Sequence, residues 1–140
     1  MKQNAQLMAM IYVDSVDTAR AYYVDKLAFT HVMGMLGKDG QLDFCTVTLG
    51  GARIMLMRPA EGIAGTSATT HKRPVELYLE VEDVEVYHGE LKQRKIQPTS
   101  PLTEQWWGDR TFTIQDPYGY QIWFYQNIGE PKLPAGAKVV

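Results

Sequence analysis

The sequence predicts an α+β fold in which one βαβββ module occurs twice in tandem, and three observations carry that expectation. The 140 residues are 45% hydrophobic and 21% charged, the profile of a single globular domain. A shift of 68 residues brings Val13 onto Val81, Val16 onto Val84, Gly40 onto Gly108, Phe44 onto Phe112, Gly51 onto Gly119 and Ile54 onto Ile122, an offset common to both halves from first strand to last. Apolar residues also alternate with period two in the outer segments of each half, as half-buried strands require. The expected organisation is one domain of residues 1–140, with module one at about 6–58, a connector at 59–73, module two at about 74–127 and a C-terminal arm at 128–140.

The elements follow in order. Leu7–Val13 opens the first module as a strand, and Asp14 or Ser15 offers a short polar side chain to cap a helix over Val16–Lys26. Strands are expected at His31–Leu36, Leu42–Leu49 and Arg53–Arg58. In the second module Val75–Val81 repeats the opening strand and Asp83 the cap, for a helix over Val84–Lys95. A less distinct extended segment around Gln97–Pro101 precedes strands at Arg110–Gln115 and Gln121–Gln126. The connector is rich in Gly, Ala, Ser and Thr, the composition of a loop or a flap over a site, and the arm carries Pro131, Pro134 and Gly136.

Strand parity separates two kinds of face. Leu7, Ala9, Ile11 and Val13 correspond to Val75, Leu77, Leu79 and Val81, and with Ile54, Leu56, Ile122 and Phe124 they form the surface for the helices to cover. The opposite faces carry Met8, Met10, Tyr12, Met55 and Met57 in module one, and Glu76, Tyr78, Glu80, Trp123 and Tyr125 in module two. A methionine-filled core is one reading of such residues. A mixture of Met, Tyr and Trp with two carboxylates makes a poor dry core, because Glu is rarely buried without a partner. It suits a ligand cavity.

Charge and cysteine content exclude several functions. Fourteen Lys and Arg against sixteen Asp and Glu leave a net charge of −2, and no basic run tracks a phosphate backbone, so no nucleic-acid partner is expected. The N-terminus lacks the pattern of a signal peptide, and no apolar run approaches the ~20 residues that cross a bilayer. With the single Cys45, these features point to a cytoplasmic protein without membrane association. Cys45 reads as a buried small hydrophobe, His88 as a surface residue of the second helix, and His31 and His71 as structural.

Trp107-Gly108-Asp109-Arg110-Thr111-Phe112, followed by Asp116-Pro117-Tyr118-Gly119-Tyr120-Gln121-Ile122-Trp123-Phe124, resembles the vicinal oxygen chelate superfamily, which holds glyoxalase I, extradiol dioxygenases and the bleomycin-resistance proteins. The resemblance spans about Gln6 to Gln126 and looks most like the bleomycin-resistance branch. It implies curved mixed sheets around a cavity with the helices outside, and a homodimer. It also implies four metal-ligand positions, at Met8, Met55, Glu76 and Trp123. Thioether sulfur is too soft for the divalent ions of these enzymes and indole has no free lone pair, so neither a metal nor another cofactor is expected, and no catalytic residue is assigned.

The favoured expectation is a metal-independent protein that sequesters a small, cationic, aromatic molecule such as a bleomycin-type antibiotic. Glu76 and Glu80 would supply counter-charge, and Tyr78, Trp123 and Tyr125 aromatic faces. Met8, Met10, Tyr12, Met55 and Met57 complete the expected lining, and Trp106 and Trp107 line either the cavity or the dimer contact. The alternatives are a divergent lyase or oxidoreductase of the same superfamily acting on a small molecule, and a non-catalytic sensor or assembly domain.

Overall fold

The computed structural model of the chain describes residues 3–59, 69 and 71–140, so most of the expected connector lies outside the described residues. The chain divides into two compact units, Met1–Thr70 and His71–Val140. The first contains β1 (Ala9–Tyr12), α1 (Val16–Ala21) continued by a π-helical turn (Tyr22–Lys26), β2 (Thr30–Leu36), β3 (Leu42–Leu49) and β4 (Ala52–Met57). The second contains β5 (Glu76–Glu80), α2 (Val84–Gln93), β6 (Ser100–Glu104), β7 (Asp109–Gln115) and β8 (Gln121–Asn127). Among the described residues each unit holds one four-stranded sheet, ordered β1-β4-β3-β2 in the first and β5-β8-β7-β6 in the second. The first and last strands of each unit pair in parallel and the other neighbours antiparallel, as expected where a helix forms the crossover.

Curved sheets wrapped around a cavity, implied by the resemblance, are not what these units contain. Each sheet is open: β1 and β2 are the edges of one, β5 and β6 of the other, and neither sheet curls round to pair its own edges. Four strands are too few, since even the small barrels that hold a single ligand use about eight. Edge strand β2 slips register between His31 and Met33 and between Met35 and Leu36, and β6 does so between Ser100 and Thr103.

One face of each sheet is the core. In the first unit Ile11, Cys45, Val47, Ile54 and Leu56 are buried, together with Val16, Ala19 and Tyr23 of the helix. In the second, Tyr87 of α2 meets Phe124 edge-on at 4.9 Å and Phe112 at 6.2 Å, with Val84, Leu91, Ile114 and Ile122 filling the same layer. Each such aliphatic or Phe side chain contributes about 1.5–3 kcal/mol on burial. Leu7 and Val75 are exposed, because the strands begin only at Ala9 and Glu76. His88, expected at the surface, is half-buried with its ring 4.9 Å from Phe112. It lies four residues after buried Val84, on the stripe that faces the sheet.

The repeat holds in backbone detail at the parallel pair. The Val13 amide donates to the Met57 carbonyl at 2.8 Å, and the Val81 amide to the Tyr125 carbonyl at 2.9 Å. It slips by one residue in the third strand, where Val47 faces Ile54 but Ile114 faces Ile122. Phe44 is therefore the counterpart of Thr111, not of Phe112: both Phe44 and Thr111 sit opposite the corresponding residues Met57 and Tyr125. The extra residue lies in the β7–β8 turn. There Asp116 Oδ1 accepts from the amides of Tyr118 (2.8 Å) and Tyr120 (2.9 Å), while Gly119 takes φ +87°. The Asp-Pro-x-Gly motif is thus a turn device.

Helix ends are set by local chemistry. Ser15 Oγ accepts from the Thr18 amide at 3.2 Å, and Asp83 Oδ1 from the Val86 amide at 3.0 Å. α2 closes in a Schellman arrangement, with the Ile96 amide on the Leu91 carbonyl and the Lys95 amide on the Lys92 carbonyl, both at 3.0 Å. Lys95 occupies the left-handed position at φ +63° where glycine is usual. After β8 the arm returns over the β6–β7 loop: the Ile128 amide donates to the Gly108 carbonyl at 2.8 Å and the Lys132 amide to the Trp106 carbonyl at 2.6 Å. Gly108 has φ +98°, and a Cβ there would run into the Gly129 carbonyl.

Two substitutions test these ends. Exposed Lys95→Gly relieves the left-handed strain and should stabilise the chain by about 0.5–1 kcal/mol in urea unfolding. Gly108→Ala should cost roughly 1–3 kcal/mol and raise amide exchange at Ile128 and Lys132, because the arm must lift to admit the methyl group.

Candidate functional site

In the second unit, the sheet face opposite α2 carries the candidate residues in cross-strand rows. Tyr78 lies beside Trp123 and Trp123 beside Thr113; Glu80 lies beside Tyr125 and Tyr125 beside Thr111; Glu76 lies beside Gln121. Parity along β5 and β8 thus brings Glu76, Tyr78, Glu80, Trp123 and Tyr125 onto one face. Tyr78 stacks on Tyr125 with centroids 4.3 Å apart and planes 22° apart, and its ring lies 5.9 Å from Trp123. The β6–β7 loop adds Trp107 at 6.5 Å from Trp123, with Trp106 edge-on to Trp107 at 5.5 Å. Tyr78 remains 45% exposed and Trp106 49%, so the cluster presents open aromatic surface.

At the edge of this cluster, on the same face of the sheet, sits Asp109, the first residue of β7 and only 8% exposed. Its Oδ2 accepts from the Tyr78 hydroxyl at 2.6 Å and from Trp107 Nε1 at 3.1 Å, and its Oδ1 from Asn127 Nδ2 at 3.1 Å. Trp107 Nε1 also donates to the Tyr78 oxygen at 2.8 Å. Burial, and then the bond to Asp109, push the Tyr78 phenol up to about 12. Tyr125 is likewise raised, chiefly by burial and then by the Glu80 charge beside it. Starting β7 at Arg110 leaves Asp109 in a loop; its shared parity with Thr111 and Thr113 was the available signal.

Glu76 is occupied. Three donors meet its Oε1: Gln121 Nε2 at 2.9 Å, Lys72 Nζ at 3.0 Å and Trp123 Nε1 at 3.1 Å. Lys72, and then Trp123, hold the carboxyl below the usual glutamate range. Lys72 belongs to the expected connector, where nothing marked it as a partner. Glu80 is exposed, with the Tyr125 hydroxyl 3.5 Å from its Oε2. Arg110 pairs with Glu104 at 2.7 Å and Glu85 at 3.6 Å.

In the first unit the corresponding face is a methionine surface. One row runs Met10, Met55, Thr46, Met33, and the next runs Tyr12, Met57, Phe44, Met35. Met10, Met33 and Met35 are each about half exposed, Tyr12 is exposed, and Met55 and Met57 are half-buried. Met8 precedes β1 and is half-buried. The candidate residues therefore fall into two sets, one in each unit.

The residues at the metal-ligand positions do not fit a divalent ion. Met8 and Met55 offer thioethers, Trp123 offers an N–H donor, and the Glu76 oxygen already holds an ammonium and two N–H groups. Among the described residues there is no group of three His, Cys, Asp or Glu placed to hold a metal. His31 Nδ1 accepts from Arg20 Nε at 2.9 Å. Cys45 is fully buried and burial pushes its thiol up to about 11, which removes it as a nucleophile. Among the described residues no helix is long and apolar enough to cross a membrane.

Residues 5–124 match the Glyoxalase/Bleomycin resistance protein/Dioxygenase superfamily. An uncharacterized protein of Mycobacterium bovis is 26% identical over 125 residues, covering 86% of this chain and 80% of its own length. The bleomycin resistance protein of Geobacillus stearothermophilus is also 26% identical, over 136 residues, covering 88% of this chain and 97% of its own. TnmS3, an antibiotic binding protein from Streptomyces sp. CB03234, is similar in fold, with a TM-score of 0.69 at 19% identity over 91% of this chain and 98% of TnmS3. The match covers both units and includes the Trp-Gly-x-Arg and Asp-Pro-x-Gly segments, and on that ground the chain belongs to the Glyoxalase/Bleomycin resistance protein/Dioxygenase superfamily.

Proposed function

We propose that the chain is a metal-independent binding protein of the bleomycin-resistance kind, which sequesters a small, flat, cationic aromatic molecule such as a bleomycin-type antibiotic. The observation that carries this reading is the partly exposed cluster of Tyr78, Trp107, Trp123 and Tyr125 on a sheet face that also bears Glu76 and Glu80. Flat rings stack on such a surface, and a cation over an aromatic face gains about 0.5–2 kcal/mol. The names of a bleomycin resistance protein and of an antibiotic binding protein among the similar chains agree with it.

The half-exposed methionines of the first unit also support a homodimer, because contiguous apolar faces of this kind are usually covered by a partner. Sedimentation equilibrium at micromolar concentration should give a dimer burying more than ~1,000 Å², and Met35→Glu should shift it toward monomer. Wild type that stays monomeric at high micromolar concentration removes the dimer.

Binding is tested by calorimetric titration of bleomycin and of cationic dyes, with chelator present throughout. Trp123→Ala should weaken charged and neutral aromatic ligands alike, by roughly tenfold or more. Glu76→Gln should weaken only charged ligands, because it leaves Lys72 as an uncompensated cation. Absence of binding by wild type under chelator, whether or not it returns when a divalent metal replaces the chelator, overturns the reading.

A further inference from the structure

We propose that Asp109 is the charge that makes the aromatic face of the second unit selective for cations, acting through the rings of Tyr78 and Trp107. The inference rests on the binding reading above and names the residue that sets its specificity. All three donors to the Asp109 carboxylate are neutral: the phenol of Tyr78, the indole N–H of Trp107 and the amide of Asn127. They satisfy its lone pairs without cancelling its charge. Among the described residues no Lys, Arg or His forms an ion pair with it, and neighbouring Arg110 is engaged by Glu104 and Glu85.

The other carboxylates of this face contrast with it. Glu76 is paired with Lys72 at 3.0 Å, and a formed ion pair attracts a further cation weakly. Glu80 is exposed to water, where counter-ions and solvent screen it. Asp109 is buried at the edge of the rings that a flat ligand would touch, bonded to the Tyr78 hydroxyl and the Trp107 indole N–H, so its charge acts on them with little intervening water. A phenol that donates to a carboxylate also gains electron density in its ring, which strengthens the negative face that attracts a cation. Tyr78 makes this bond at 2.6 Å while stacked on Tyr125 and tilted against Trp123, so the effect falls at the centre of the cluster. Asp109 is a positioning residue in addition, because it holds the Tyr78 hydroxyl and the Trp107 indole together.

The experiment compares N-methylacridinium with uncharged acridine, two rings of one shape, titrated at mildly alkaline pH against wild type and variants. Wild type should prefer the cation. Asp109→Asn should lower cation affinity by roughly tenfold and leave acridine affinity nearly unchanged. Asn127→Lys should erase the same preference by a different route, setting an ammonium beside Oδ1 at an exposed position while Asp109 stays in place. Glu76→Gln should change the ratio of the two affinities less than either. In the dye-free protein, the Tyr78 ring resonance, assigned with Tyr78→Phe, should titrate at lower pH in Asp109→Asn than in wild type.

The outcomes separate the two claims. If wild type binds neither dye, the binding reading falls and the selectivity with it. If both dyes bind without a preference, or the preference survives Asp109→Asn and Asn127→Lys, only the role of Asp109 falls. Equal losses for both dyes in Asp109→Asn would make Asp109 a scaffold alone, and an unchanged Tyr78 titration would break the proposed transmission through the ring.

Discussion

A four-stranded sheet has two faces, and among the described residues each unit of this chain has one helix to cover them. The rest of the molecule follows from that shortage. The covered face can be filled with Ile, Val, Leu and Phe and made dry, as Ile54, Leu56, Phe112 and Phe124 show. The other face must either be polar enough to meet water or apolar enough to meet something else. The two units resolve it differently. The first presents thioethers with Tyr12 and Phe44, and the second presents aromatic rings fixed by carboxylates.

That difference also divides rigidity between the faces. Methionine side chains have three rotatable bonds and no directional partner, so the surface of the first unit can adapt to what covers it. The rings of the second unit are tied. Trp123 is held through its indole N–H by Glu76, Trp107 by Tyr78 and Asp109, and Tyr78 by Asp109. Ordering a surface in advance lowers the entropic cost of binding to it. The arm reinforces this order, since Asn127, Ile128 and Lys132 attach it to the loop that carries Trp106, Trp107 and Gly108.

Much of this arrangement was legible in the sequence, and the reasons are local. Alternation assigns a strand residue to a face without knowledge of its neighbours, so Tyr78, Trp123, Tyr125 and the methionines were placed on their faces by parity. Caps act over three residues, so Ser15 and Asp83 were readable as well. Pairing across the chain was not. The Phe44 and Phe112 identity looked like part of the repeat, yet a one-residue difference in a turn puts the two rings on opposite faces. Lys72 reaches Glu76 from a segment that carries no pattern, and Asp109 matters only because Tyr78, 31 positions earlier, crosses to it. The implied wrapping of the sheets failed for a further reason: curvature and closure depend on strand number and edge pairing, which no single strand encodes.

Open sheets leave unpaired edges, and unpaired edges invite other strands to add to them. Each edge here is poorly suited to such addition. β1 and β5 are only four and five residues long. β2 is broken by two register slips, and β6 by one, with Pro101 lacking an amide to donate. The irregularities that look like imperfections of the repeat therefore act against fibrillar self-association.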